Sequence, residues 1–194
     1  MTASLRYRFI YSLFLFVPDI AHAHVGTGEA VGWAHGMLHP FIGLDHLCAM
    51  VAVGMWAAQT GGRALWSAPL TFLGVLALGG LLGMATLPPV AGVETGILMS
   101  LLVLGMLIAA AVRLPLAASL ALVGLFALFH GYAHGGEMPH STSGLSYALG
   151  FMLSTAALHG VGIGMATLLA KTGRLHYLRL AGVALFGGAL LFVG

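Results

Sequence analysis

Charge is what this chain has least of. Only 6% of its 194 residues are Asp, Glu, Lys or Arg, seven basic against five acidic, while 60% are hydrophobic and the mean hydropathy is +1.03. A soluble domain needs far more polar surface, so the composition is that of a polytopic membrane protein. The net charge of +2 points to no nucleic-acid partner. A single cysteine, Cys48, excludes an intrachain disulfide and any cysteine metal cluster within one chain. It reads as a small packing hydrophobe, with a thiolate ligand as the alternative. No nucleotide-binding loop is present, and the length leaves no room for a nucleotide-binding domain. H-E-x-x-H and G-x-S-x-G are also missing, which argues against an intramembrane metallopeptidase or serine hydrolase.

What fills the chain is apolar sequence in lengths that suit a bilayer. The N-terminus reads as a signal peptide over residues 1–23: Arg6 and Arg8, then an apolar core from Phe9 to Val17, then Ala21-His22-Ala23 as an A-x-A cleavage site. Cleavage there would make His24 the first residue, offering an α-amine and an imidazole to a metal ion. Residues 24–194 divide into six apolar spans: about Val31 to Ala58, Trp66 to Leu87, Gly92 to Val112, Pro115 to Gly135, Gly144 to Ala170 and Tyr177 to Gly194. The expected fold is therefore all-α, one domain of six transmembrane helices.

Orientation follows from the basic residues. With a translocated start and six spans, Arg63, Arg113 and the Lys171/Arg174/Arg179 group all fall on one side, which the positive-inside rule makes the cytoplasm of a bacterial inner membrane. Glu29, Glu94 and Glu137 fall on the periplasmic side with His24 and His140. That face reads as a vestibule attracting divalent cations.

The first span carries an unusual load of ionisable groups: His35-Gly36-Met37-Leu38-His39-Pro40-Phe41-Ile42-Gly43-Leu44-Asp45-His46. On one helix, at about 100° per residue, His35, His39 and His46 share a stripe, with Asp45 on its flank. Pro40 lacks an N–H and crowds the preceding turn, so a kink or unwound turn is expected just after His39, with Gly43 adding freedom. Imidazole and carboxylate at membrane depth suit a borderline divalent transition ion. A second patch, Phe129-His130-Gly131-Tyr132-Ala133-His134-Gly135-Gly136-Glu137, spaces His130, His134 and Glu137 on one helical face. His159, between small residues in the fifth span, is a further intramembrane imidazole.

Residues 39–46 resemble the HPxxGxDH signature of the HupE/UreJ family, and residues 129–137 resemble its FHGxAHGxE patch. The resemblance runs through the whole chain. It implies a small membrane permease associated with nickel, and in some members cobalt, supply to hydrogenase and urease. By that resemblance His130, His134 and Glu137 join the metal-site candidates, and hydrogenase or urease maturation proteins become candidate partners.

Taken together, the sequence reads as a permease carrying a divalent transition ion from periplasm to cytoplasm. Ni2+ is the first candidate because of the family; Co2+ and Zn2+ accept the same ligands, and no organic cofactor is called for. The candidate ligands are His24, His35, His39, Asp45, His46, His130, His134 and Glu137, with Glu94 and His159 as additions. A ladder from His24 through His35/His39 and Asp45/His46 to His159 would let the ion step inward. The methionines are scattered without the clustering a copper(I) path needs and read as packing residues. A metal receptor or donor, or a membrane zinc enzyme, is the rival reading. Finally, His35-Gly36-x-x-His39 recurs as His130-Gly131-x-x-His134 in spans one and four, which predicts a 3+3 inverted repeat with those spans packed around one site.

Overall fold

The computed structural model describes residues 29–85, 91–138 and 143–191. The expected signal peptide, His24 and His140 lie outside them. The described residues form seven α-helices and no strand. They are α1 (Glu29–Leu38), α2 (Leu44–Thr60), α3 (Ala64–Ala85), α4 (Val93–Ala109), α5 (Leu116–Gly136), α6 (Gly144–Lys171) and α7 (Leu175–Leu190).

Three of them, α3, α5 and α6, are long and apolar enough to cross a membrane, and the bent pair α1 with α2 makes a fourth if taken as one span. The shorter apolar helices α4 and α7 occupy the third and sixth expected spans with 17 and 16 residues. Leucines stand exposed on the outside of the bundle, among them Leu70, Leu78, Leu81, Leu149, Leu153 and Leu168. Such a surface is tolerable only against hydrocarbon. Inside, Trp56, Phe72, Leu104, Ile108, Val123 and Leu178 make one core.

The expected first span is not one helix. His39–Phe41 form a 3-10 turn, with Pro40 buried in it, and Gly43 is extended (φ −96°, ψ 120°) before α2 begins. The segment Gly32–Phe41, most of α1 with the 3-10 turn, meets α2 at 80°. Pro40 removes a backbone donor and Gly43 costs little to extend, so the ladder fails between them. A continuous stripe of His35, His39 and His46 therefore does not exist. The break instead turns His39 and His46 toward the same interior, while His35 is left exposed on α1.

Helices pair by close backbone approach. α1 and α2 pack on α6, α3 packs on α5, and α4 packs on α7. At Gly36 an added Cβ would collide with Tyr147 O and Phe151 N, and at Gly150 it would meet Trp33 O and Met37 N. The α3–α5 pair repeats this register: Gly131 faces Leu76 O and Gly80 N, and Gly79 faces Leu128 O and Tyr132 N. Even the next contact matches, since Ser154 Oγ donates to Met37 O and Gly83 abuts Tyr132 O. Between α4 and α7 the contact is reciprocal, with Gly105 against Gly182 O and Phe186 N, and Gly182 against Gly105 O and Ala109 N. The expected direct packing of spans one and four is not what joins the halves, because α2 and α5 each lean mainly on another helix and meet chiefly through side chains.

Candidate metal centre

Four stretches bring ligand-bearing side chains to one place. The 3-10 turn contributes His39, the first turn of α2 contributes Asp45 and His46, the last turns of α5 contribute His130 and His134, and Glu137 caps α5. His39 Nε2 lies 3.2 Å from Glu137 Oε2, and His134 Nδ1 lies 3.6 Å from the same oxygen. One ligand atom from each of these three residues fits within 4.8 Å of the others. The His134 ring is 4.7 Å from that of His39 and 4.4 Å from that of His46, and His46 is 5.3 Å from His130.

Hydrogen bonding settles which nitrogens are free. His130 Nδ1 donates to Phe126 O (2.9 Å), which leaves the Nε2 lone pair unpaired in a fully buried ring. His46 Nδ1 bonds Asp45 Oδ1 at 3.0 Å, and its buried Nε2 has no partner among the described residues. A carboxylate behind an imidazole fixes its tautomer and raises its basicity as a ligand, so Asp45 is placed to orient His46 rather than only to bind. Among the described residues neither nitrogen of His134 meets a hydrogen-bond partner. Buried polar atoms without partners are costly, and a cation would satisfy the one lone pair that each of the His46, His130 and His134 imidazoles leaves free.

Exposure is graded across the group. The Glu137 side chain is 55% exposed, His39 24%, His46 14% and His134 5%. The rim is thus anionic and open, and the floor is buried imidazole. The His134 and His39 imidazoles beside Glu137 hold its carboxyl well below the usual carboxylate range, so it remains anionic at neutral pH.

Several expected residues are elsewhere. His35 is exposed on α1 and joins none of these contacts, Glu94 is exposed in the first turn of α4, and Cys48 lines an apolar groove with Leu101 and Leu185. His159 is 1% exposed, and neither ring nitrogen has a hydrogen-bond partner among the described residues. It is separated from the centre by Phe72, whose ring lies 5.7 Å from His130 and 5.0 Å from His159. Three aromatic walls went unnoticed in the sequence: Phe72, Phe151 against His134 (4.3 Å), and Tyr147 against His39 (5.7 Å). Aromatic residues in apolar helices carry no pattern that marks a wall.

The HupE / UreJ protein family model matches residues 12–192, nearly the whole chain. The chain belongs to the HupE/UreJ family. Protein HupE of Rhizobium leguminosarum bv. viciae is 46% identical over 183 residues, covering 93% of this chain and 94% of that protein. No solved structure matches. In this HupE/UreJ member the two motifs, ninety-eight residues apart at His39 and Glu137, face each other across one site.

Proposed function

We propose that the protein is a permease for a divalent transition metal ion, Ni2+ first and Co2+ next, moving it from periplasm to cytoplasm. The family it belongs to is associated with nickel and cobalt supply for hydrogenase and urease. The observation that carries the reading is the convergence of His39, His134 and Glu137 within 4.8 Å, with His46 directly behind. Imidazole and carboxylate together suit Ni2+, Co2+ and Zn2+.

An ion would meet the anionic Glu137 and partly exposed His39 first, then exchange onto His134, His46 and His130 as it loses water. His46, steadied by Asp45, forms the central site, and His159 is the inner station beyond Phe72. Each imidazole replaces the last, so no single station need bind tightly, which conduction requires. His24 and Glu94 would belong to the outer vestibule, and His35 is demoted to its edge. Transport is driven by intracellular chelation or an ion gradient.

Six crossings, a cleaved signal peptide and an inner-membrane location with the basic loops cytoplasmic complete the reading. The matched registers of α1–α6 and α5–α3, with the reciprocal α4–α7 contact, support a 3+3 inverted repeat in which His39 and His134 are equivalent positions. Their rings touch, so the centre would sit on the pseudo-two-fold axis between halves.

Phe72 closing the floor favours a second reading, a metal receptor or donor for a hydrogenase or urease maturation protein. Purified protein in liposomes separates the two. A permease accumulates Ni2+ inside in competition with Co2+; binding of Ni2+ without accumulation assigns the protein to the receptor class.

A further inference from the structure

The end of the bundle opposite the metal centre has a different character. Here α2 joins α3, α4 joins α5 and α6 joins α7, and all five described Lys and Arg residues, Arg63, Arg113, Lys171, Arg174 and Arg179, lie at these junctions. The acids whose side chains are described are elsewhere: Asp45 opens α2, Glu94 opens α4 and Glu137 closes α5. Among the described residues no Lys or Arg forms an ion pair. Asp45 and Gln59 stand at opposite ends of α2, about 21 Å apart at 1.5 Å per residue.

Within this end is a cavity of about 590 Å3 lined by Gln59, Arg113, Thr167 and Arg179, with apolar walls from Ala166, Ala170, Leu175 and Leu178. Its rim is held in place. Trp56 Nε1 donates to Val112 O (3.0 Å), Gln59 Nε2 donates to Ile108 O (3.1 Å), and Arg179 Nε donates to Ala109 O (2.8 Å). These bonds pin the loop that carries Arg113, and they leave the Nη groups of Arg179 outside the cap.

We propose that this cavity binds a phosphate group between Arg113 and Arg179. Arg113 and Arg179 both line this cavity, guanidinium forks recognise phosphate oxygens, and basic pockets between membrane helices take anionic headgroups. The phosphate can come from an anionic phospholipid or from solution. The apolar walls and the exposed Leu168, Leu175 and Leu180 alongside suit the glycerol and first methylenes of a lipid. A bound anion would also reduce the positive charge at the end where a cation leaves. That consequence rests on the permease reading; the site does not.

The test is thermal stability of the purified full-length protein in nanodiscs of phosphatidylcholine or phosphatidylglycerol, and in detergent with or without inorganic phosphate. Ligand linkage predicts that phosphatidylglycerol or inorganic phosphate raises Tm by about 3 °C or more. Arg113→Gln should abolish the gain, whereas Arg63→Gln, the same charge change outside the cavity, should keep it. A gain only in phosphatidylglycerol identifies the lipid; a gain from inorganic phosphate without lipid identifies the soluble anion. Equal Tm in every medium, or equal loss in both variants, overturns the site. Should Arg113→Gln fold poorly, Arg113→Lys keeps the charge without the fork and should lose part of the gain; an undiminished gain would also overturn the site. No metal is involved in any arm, so failure here is independent of the transport reading.

Discussion

His39 Nε2 and Glu137 Oε2 lie 3.2 Å apart although ninety-eight residues separate them in the chain. The contact joins the broken first span to the end of α5 at the open rim of the centre. Glu137→Gln keeps the shape and removes the charge, and its side chain is 55% exposed, so folding should be unaffected. Isothermal titration should show Ni2+ affinity lowered by about 10–100-fold. Unchanged affinity would remove Glu137 from the ligand set.

Asp45 acts through His46. Asp45→Asn retains a hydrogen-bond partner for Nδ1 but removes the carboxylate that raises the basicity of Nε2. Ni2+ affinity should fall about 10–100-fold, the range for a group behind a ligand. His46→Ala should cost more than Asp45→Asn, and the double variant should be no worse than His46→Ala alone. Additive losses would mean that Asp45 binds the ion independently.

Acidification should weaken metal uptake through the imidazoles. A proton and a metal ion compete for the same nitrogen lone pair, so uptake is lost once acidification protonates the imidazoles that hold the ion. Glu137 does not set this loss, because its carboxyl is held below the usual range and stays ionised throughout. A pH profile of Ni2+ uptake with free metal held constant should therefore fall on the acid side of neutrality. Uptake undiminished down to the pH at which the protein unfolds would contradict imidazole control.

Two glycines should be intolerant of a single methyl group, and a third should not. Gly36→Ala and Gly131→Ala drive a Cβ into the backbone of the facing helix, Tyr147 O in one pair and Leu76 O in the other. Each should destabilise by about 1–3 kcal/mol, the usual cost of overpacking. Gly74 has nothing within 4 Å of an added Cβ, so Gly74→Ala should leave stability equal or slightly raised. Thermal melts in detergent compare the three. Tolerance at Gly36 but not Gly131 would break the equivalence of the two helix pairs.

Much of the centre could be read from residue types. His39, Asp45 and His46 flank Pro40 and Gly43, and the same proline and glycine foretold a break after His39. How far the chain turns was not legible, because an 80° bend depends on what α1 and α2 each pack against. That bend is why His35, at the start of the same stretch, faces out while His46 faces in. Likewise His130, His134 and Glu137 could be placed on one face of α5, but their meeting with His39 and His46 is a tertiary fact. The repeat rested on three identities in sequence; the glycine registers carry it much further, since backbone approach depends on where side chains are missing rather than on which are present.

The central claim is that a divalent ion passes through the centre shared by the broken first span and α5. The most direct test is Ni2+ uptake into proteoliposomes holding wild type, His39→Ala or His35→Ala. His39 is partly exposed at the rim and His35 is exposed outside it, so neither change opens a hole in the core. The account predicts uptake by wild type and His35→Ala and near-background uptake by His39→Ala. Wild-type rates in His39→Ala, or no uptake by the wild type despite Ni2+ binding, would contradict it.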